Sequence, residues 1–241
     1  MRSKRCEFRS NIEGIAFDLD GTLYPNYRLN IRLLPFISKE ARLLTAFGKA
    51  RNIIRSEQNG GKLPEGDFYN FQAQITADIL FGKRGGKASA QQIKEKIDRL
   101  IYRGWEPLFK KIKLFNHVKN TLDALRKAGY KTALLSDFPP DAKMEYLGIL
   151  HGWDAVLCSE KCGALKPHPL SFNELAKAMS LPPEKILYVG NSRRYDVKGA
   201  SDAGMKTAWI KKALFPGSGL KKPKPDFSFH SYRQLYNFMI D

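Results

Sequence analysis

The sequence predicts an α/β protein: a parallel sheet covered by helices on both faces, interrupted near its start by a smaller all-helical domain. Three observations predict it. Short apolar runs alternate with helical spacing from Asn116 onward. The stretch from Tyr24 to about Phe115 repeats its apolar residues at helical spacing only. Polar residues capable of chemistry fall just after the short runs, where open α/β sheets gather their ligands.

The first short run is Ile12 to Phe17, which ends in Asp18 and reads as a buried strand with a carboxylate at its tip. Ile31, Leu34, Ile37, Ala41, Leu44, Phe47, Ala50 and Ile54 then recur every three or four positions and predict a long helix. Pro35 is expected early in that helix or just before it. Asn59-Gly60-Gly61 ends it, and Pro64-Glu65-Gly66 continues the break. Phe68, Phe71, Ile75 and Ile79 predict a second helix, Gly82 to Gly86 a loop, and Ile93, Ile97 and Leu100 a third helix.

Alternation begins after Asn116. Val118, Leu122 and Leu125 mark a helix closed by Gly129, and Thr132 to Leu135 a strand. A helix over Asp141 to Leu147 precedes a strand at Ala155 to Cys158. Phe172, Leu175 and Met179 mark the next helix, Ile186 to Val189 a strand, Asp196 to Ala203 a helix and Thr207 to Ile210 a strand. A basic loop at Lys221 to Pro225 leads to a short strand at Phe227 to Phe229 and a closing helix at Tyr232 to Met239. Helical crossovers between strands imply a parallel, Rossmann-like sheet. The expected division is an α/β core domain of residues 1–23 plus 114–241, and a helical domain of residues 24–113.

Composition narrows the class. With 241 residues and 43% hydrophobic content, the chain can bury a sizeable core. No apolar run approaches the roughly 18 residues of a membrane span. The basic start Met1 to Arg5 is followed by Glu7, Arg9, Asn11 and Glu13 rather than an apolar stretch, so a cytoplasmic protein without membrane association is expected. The three cysteines, Cys6, Cys158 and Cys162, are too few for a disulfide framework. Cys158-x-x-x-Cys162 lacks a second ligand pair, so reduced thiols are expected rather than zinc.

The net charge is +17, and residues 24–115 carry 18 Lys and Arg against 8 Asp and Glu. Such a field draws anions, whether phosphorylated metabolites or nucleic acid. A lysine-rich solvated surface explains the same charge. The charges are scattered and no nucleic-acid-binding motif is present, so no nucleic-acid partner is expected.

Four strand ends carry the candidate chemistry. They are Asp18 and Asp20, Ser136 and Asp137, Lys166-Pro167, and Gly190-Asn191-Ser192 followed by Asp196. Together they resemble the four motifs of the haloacid dehalogenase superfamily of hydrolases, the first being Asp18-Leu19-Asp20-Gly21-Thr22. The resemblance runs from about Gly14 to Ile210 and places the helical stretch where the family has its cap domain. It implies an enzyme that binds Mg2+ and passes a phosphoryl group through an aspartyl-phosphate.

In that scheme Asp18 is the nucleophile. Asp20 protonates the leaving oxygen and later activates water. Thr22, Ser136, Asp137 and Lys166 are assigned to the substrate, with Lys166 also balancing charge on the nucleophile. The metal ligands implied are Asp18, the backbone carbonyl of Asp20 and Asn191, with Asp196 supporting them or binding directly. Asn191 departs from the family, which usually has Asp there; an amide oxygen coordinates magnesium but brings no charge.

Each residue also has a plainer reading. Asp-x-Asp can be a turn or a cap, Ser136 a turn residue, Lys166 a solvated lysine and Asp196 a helix N-cap. Asp137 can bond the loop backbone or face the substrate. His168 reads as a cap, and Arg193 and Arg194 as solvated neighbours of the metal loop.

Asp20 favours phosphate esters within the family, because its dehalogenating members lack the second Asp. Mutase and phosphonatase activities share the core. A catalytically silent relative is the alternative that Asn191 supports. The expected substrate is a small phosphorylated metabolite, and the basic helical domain favours a multiply charged one. Tyr24 to Asn26 and Lys113 to Asn116 are the expected hinges.

Overall fold

The computed structural model describes residues 7–82, 86–211 and 223–241. The basic start, Cys6, the middle of the Gly82 to Gly86 loop and the beginning of the Lys221 to Pro225 loop lie outside the described residues.

Six strands form one parallel sheet in the order β3-β2-β1-β4-β5-β6. They are β1 (Gly14–Phe17), β2 (Lys131–Ser136), β3 (Ala155–Cys158), β4 (Ile186–Gly190), β5 (Lys206–Ile210) and β6 (Phe227–Phe229). β1 and β4 are buried along their whole length, which is why they read as continuous apolar runs. The chain first adds strands on one side of β1, then returns to add β4 on the other. That reversal opens a crevice at the C-terminal tip of β1, the usual ligand site of such sheets.

One face of the sheet buries Phe17, Leu134 and Val189 against helices at Val118–Lys127 and Tyr232–Met239. The other buries Ala16, Leu135 and Tyr188 against Phe172, Leu175 and Met179 of the helix Pro169–Met179. Both faces are thus covered, and the strand tips are left free for polar groups.

Between β1 and β2 lies the helical block. Its main elements are α1 (Asn26–Asn59), α2 (Phe68–Phe81) and α3 (Gly86–Ile97), followed by a π turn at Asp98–Tyr102 and a 3-10 turn at Glu106–Lys111. Leu43, Phe47, Ala73, Ala77, Ile93 and Ile97 form its core. Two expectations for α1 need correction. The helix starts at Asn26, so Pro35 sits well inside it. Ile31, Leu34 and Ile37 are exposed, whereas Phe47, Ala50 and Ile54 are buried as expected, together with Leu33 and Leu43.

Length explains the second difference. At 34 residues α1 is about 51 Å long at 1.5 Å per residue. α2 and α3 have only 14 and 12 residues and meet its later part. The backbone leaves helical geometry at Glu40 (φ −123°, ψ 25°), between the exposed and buried stretches. No helix among the described residues is long and apolar enough to cross a membrane.

Candidate active site

Asp18 and Lys166 form the centre of the site. Asp18 follows β1 directly, and its backbone N–H donates to the Val189 carbonyl at 2.9 Å, so the sheet fixes its position. Lys166 Nζ donates to Asp18 Oδ1 at 2.6 Å and to Asp196 Oδ1 at 2.8 Å. All three side chains are almost fully buried. Burial alone would strip the lysine of its proton, but Asp18 and Asp196 reverse this and hold it protonated. For Asp18 burial dominates. Lys166 opposes it, Asp196 and Asp20 add to it, and the carboxyl is pushed up to about 7.

Thr22 was assigned to the substrate from the sequence. It is fully buried, and its hydroxyl donates to Asp18 Oδ2 at 2.6 Å. Its hydroxyl is therefore engaged by Asp18. The turn between Asp18 and Thr22 requires Gly21, which has φ +86°. A Cβ there would stand 2.4 Å from both the Asn191 and Asn26 amide nitrogens.

Asp20 faces the other side of the crevice. Ser136, at the tip of β2, donates to its Oδ2 at 3.3 Å. Lys143, on the helix Asp141–Tyr146, donates to both carboxylate oxygens at 2.9 and 2.8 Å. The Tyr24 hydroxyl also donates to Asp20. Burial would raise the Asp20 carboxyl, but Lys143 and Tyr24 outweigh it and hold the group below its usual range. Lys143 and Tyr24 were not expected from the sequence. Only the fold brings Lys143 back over β1, and Tyr24 read as part of a hinge.

The loop after β4 closes the third side. Asp196 Oδ2 accepts from the backbone N–H groups of Asn191 at 3.1 Å and Ser192 at 2.8 Å. With its other oxygen on Lys166, Asp196 organises the loop and the lysine together. Gly190 is needed for this, since a Cβ would fall 2.3 Å from the Asp196 Cβ. The Asn191 amide lies 2.6 Å from the Asp20 backbone carbonyl and 3.5 Å from Asp18 Oδ2.

Both carboxylate oxygens of Asp137 are engaged by protein groups. Its Oδ1 accepts from the Lys166 backbone N–H at 3.1 Å, and its Oδ2 pairs with Arg55 at 2.8 Å. Arg51 lies 3.6 Å from the same oxygen and forms a close ion pair with buried Glu160. Two arginines of α1 thus reach core carboxylates. His168 caps its helix by accepting from the Leu170 N–H at 3.2 Å. Arg193 donates to the Pro223 carbonyl at 3.0 and 2.9 Å, and Arg194 stacks beside Tyr195. Cys158 and Cys162 are free thiols.

The site's four motif segments come from four different strand ends, and comparison with known proteins assigns the family. The model for haloacid dehalogenase-like hydrolases matches residues 12–204. The chain belongs to that hydrolase family.

This haloacid dehalogenase-like hydrolase is 27% identical over 242 residues to a glyceraldehyde 3-phosphate phosphatase of Methanopyrus kandleri, covering 93% of this chain and 95% of that protein. It is 28% identical over 236 residues to a phosphoglycolate phosphatase of Pasteurella multocida, covering 93% and 97%. Its fold matches a solved 2-haloacid dehalogenase from Pseudomonas syringae pv. Tomato DC3000 with a TM-score of 0.64, at 21% identity and covering 95% and 98%.

Proposed function

We propose that this hydrolase is a magnesium-dependent phosphatase of small phosphorylated metabolites, with Asp18 as nucleophile and Asp20 as general acid and base. The fold alone does not separate phosphate from halide chemistry, since a dehalogenase shares it. One observation carries the reading: a second carboxylate, Asp20, stands at the crevice with its own set of donors. A leaving alkoxide needs a proton and a halide does not. Two relatives that match nearly the whole chain carry phosphatase names, which supports the same choice.

The residues present suit a hard cation. Among the described residues no three His, Cys, Asp or Glu side chains gather as a metal cluster. The donors are instead mixed: an Asp18 oxygen, the Asp20 carbonyl and the Asn191 amide, which lies within hydrogen-bonding range of both. Turning that amide about its last bond presents its oxygen to the same point. Three oxygens facing one another are what magnesium takes, with waters completing the shell. When bound, the ion supplies positive charge beside the nucleophile and the phosphoryl oxygens.

Asp18 ionises in that setting and attacks phosphorus, forming an acyl-phosphate bond. The bond from phosphorus to the leaving oxygen breaks, and the Asp20 proton moves to that oxygen. Asp20 then takes a proton from water, and the hydroxide attacks phosphorus to release phosphate and regenerate Asp18. Ser136 and Lys166 hold the charge of the transferring group.

The helical block, residues 24–113, acts as a cap that closes over the crevice and excludes water. The two connecting segments run side by side, with the Phe115 N–H donating to the Leu23 carbonyl at 2.9 Å, and they serve as its hinge. The test is a panel of phosphate esters with and without magnesium, comparing wild type with Asp18→Asn. Magnesium-dependent release that the variant loses supports the reading. No release from any ester contradicts it.

A further inference from the structure

A cavity of about 240 Å3 lies between the helical block and the core, with Asp20 and Lys143 in its wall. Building on the phosphatase reading, we propose that this cavity receives the leaving group and selects monoesters of small, uncharged, carbon-rich alcohols, aryl alcohols included. Esters carrying a second anionic group are disfavoured.

Position gives the cavity its role. Asp20 protonates the leaving oxygen, so the rest of the alcohol lies on its side of the crevice. Asp20 lines the cavity, whereas Asp18 and Lys166 do not. The volume is below the roughly 300 Å3 at which drug-sized ligands begin to fit, so the alcohol is small.

The walls set its polarity. Leu33, Ile101, Trp105 and Phe109 come from the helical block, and Phe138 from the core. Three charged side chains also line the cavity: Asp20, Lys143 and Glu106. Lys143 already binds both oxygens of Asp20, and its ammonium sits 5.4 and 5.0 Å from the ring centres of Phe109 and Phe138. Glu106 adds negative charge. Among the described residues, no Lys or Arg of the helical block lines the cavity, and Arg103, which acts on Glu106, is itself paired with Asp98. A carboxylate placed here would meet Glu106 without a free cation to pair with, in a medium where like charges repel strongly.

The experiment compares phenyl phosphate, 4-carboxyphenyl phosphate and phosphoglycolate with the magnesium-loaded protein. The two aryl esters share ring and phosphate, and the carboxylated phenol is intrinsically no worse a leaving group. The expected kcat/KM is at least tenfold higher for phenyl phosphate than for its carboxylated partner. Glu106→Lys is expected to shift that ratio at least tenfold toward the carboxylate. Glu106→Gln, which keeps the shape, shifts it the same way by less, and circular dichroism checks that each variant is folded.

A wild-type ratio near or below one overturns the inference and leaves the phosphatase reading standing. So does release from phosphoglycolate without release from phenyl phosphate, or a ratio unmoved in both folded variants. No release from any of the three esters overturns both.

Discussion

Lys143 holds both carboxylate oxygens of Asp20, at 2.8 and 2.9 Å, from a helix that the sequence places more than a hundred residues later. The contact fixes the resting charge state of the site. Asp20 is kept ionised, while burial pushes Asp18 up to about 7. Phosphoryl transfer needs the reverse: an ionised nucleophile and a protonated acid. A cation beside Asp18 favours ionisation there, and a phosphate dianion beside Asp20 favours protonation. In the proposed mechanism, substrate and metal together set the protons.

Lys143→Gln removes the main influence lowering the Asp20 carboxyl. In the proposed mechanism Asp20 acts in its protonated form, so its ionisation closes the alkaline side of the activity profile. The variant should move that limb upward. A kcat/KM profile against pH for wild type and variant reads the shift directly.

Asp18→Asn should stabilise the protein while abolishing turnover. The Asp18 carboxyl rises from 3.8 to about 7 on folding, so its favourable contribution is complete below about pH 4 and is lost as pH rises through 7. The amide has no such cost. At pH 8 without magnesium, the variant is expected to melt a few degrees above wild type, and near pH 4 the difference should vanish. Thermal melts at the two pH values check this.

Arg51 and Glu160 form a buried ion pair between α1 and the loop after β3. Burial dominates Glu160 and pushes its carboxyl up to about 7 even against the pull of Arg51. Arg51→Met leaves that carboxylate buried and unpaired, at a cost of about 3–5 kcal/mol. Adding Glu160→Gln should recover most of the loss. Urea denaturation of the single and double variants measures both steps.

Asn191→Asp adds a negative charge among the proposed magnesium ligands. The variant should bind the ion about tenfold tighter. For the wild type, affinity should fall as pH drops below about 7, because Asp18 must lose its proton to coordinate. Calorimetric titration at two pH values tests both, and equal affinities for the two proteins would contradict the role given to Asn191.

Much of the sheet was legible in the sequence for a physical reason. Strands buried on both faces, such as Ile186–Gly190, read as unbroken apolar runs, and each run ends where the backbone presents its next side chain to the crevice. Asp18, Asp20, Ser136, Lys166, Asn191 and Asp196 could be picked out because each follows such a run. The helical block was harder. Periodicity showed that residues 31–54 are helical, but not that Ile31, Leu34 and Ile37 face solvent.

Long-range pairing left no local trace. Arg51 and Glu160 are 109 residues apart, and neither sits in a pattern that points to the other. The positive excess of the block was read as attraction for anions. Arg51 and Arg55 show another use for part of it, as partners for the core carboxylates Glu160 and Asp137. The sequence leaves Asp137 open between loop and substrate, and in the fold its Oδ1 accepts from the Lys166 backbone N–H.

In the proposed mechanism Asp18 carries the phosphoryl group. Rapid acid quench of the magnesium-loaded enzyme turning over a radiolabelled phosphate ester tests it most directly. The expected result is a covalent, hydroxylamine-labile label on the peptide containing Asp18, absent from Asp18→Asn together with turnover. Turnover that persists in Asp18→Asn, or a label on any other residue, would contradict it.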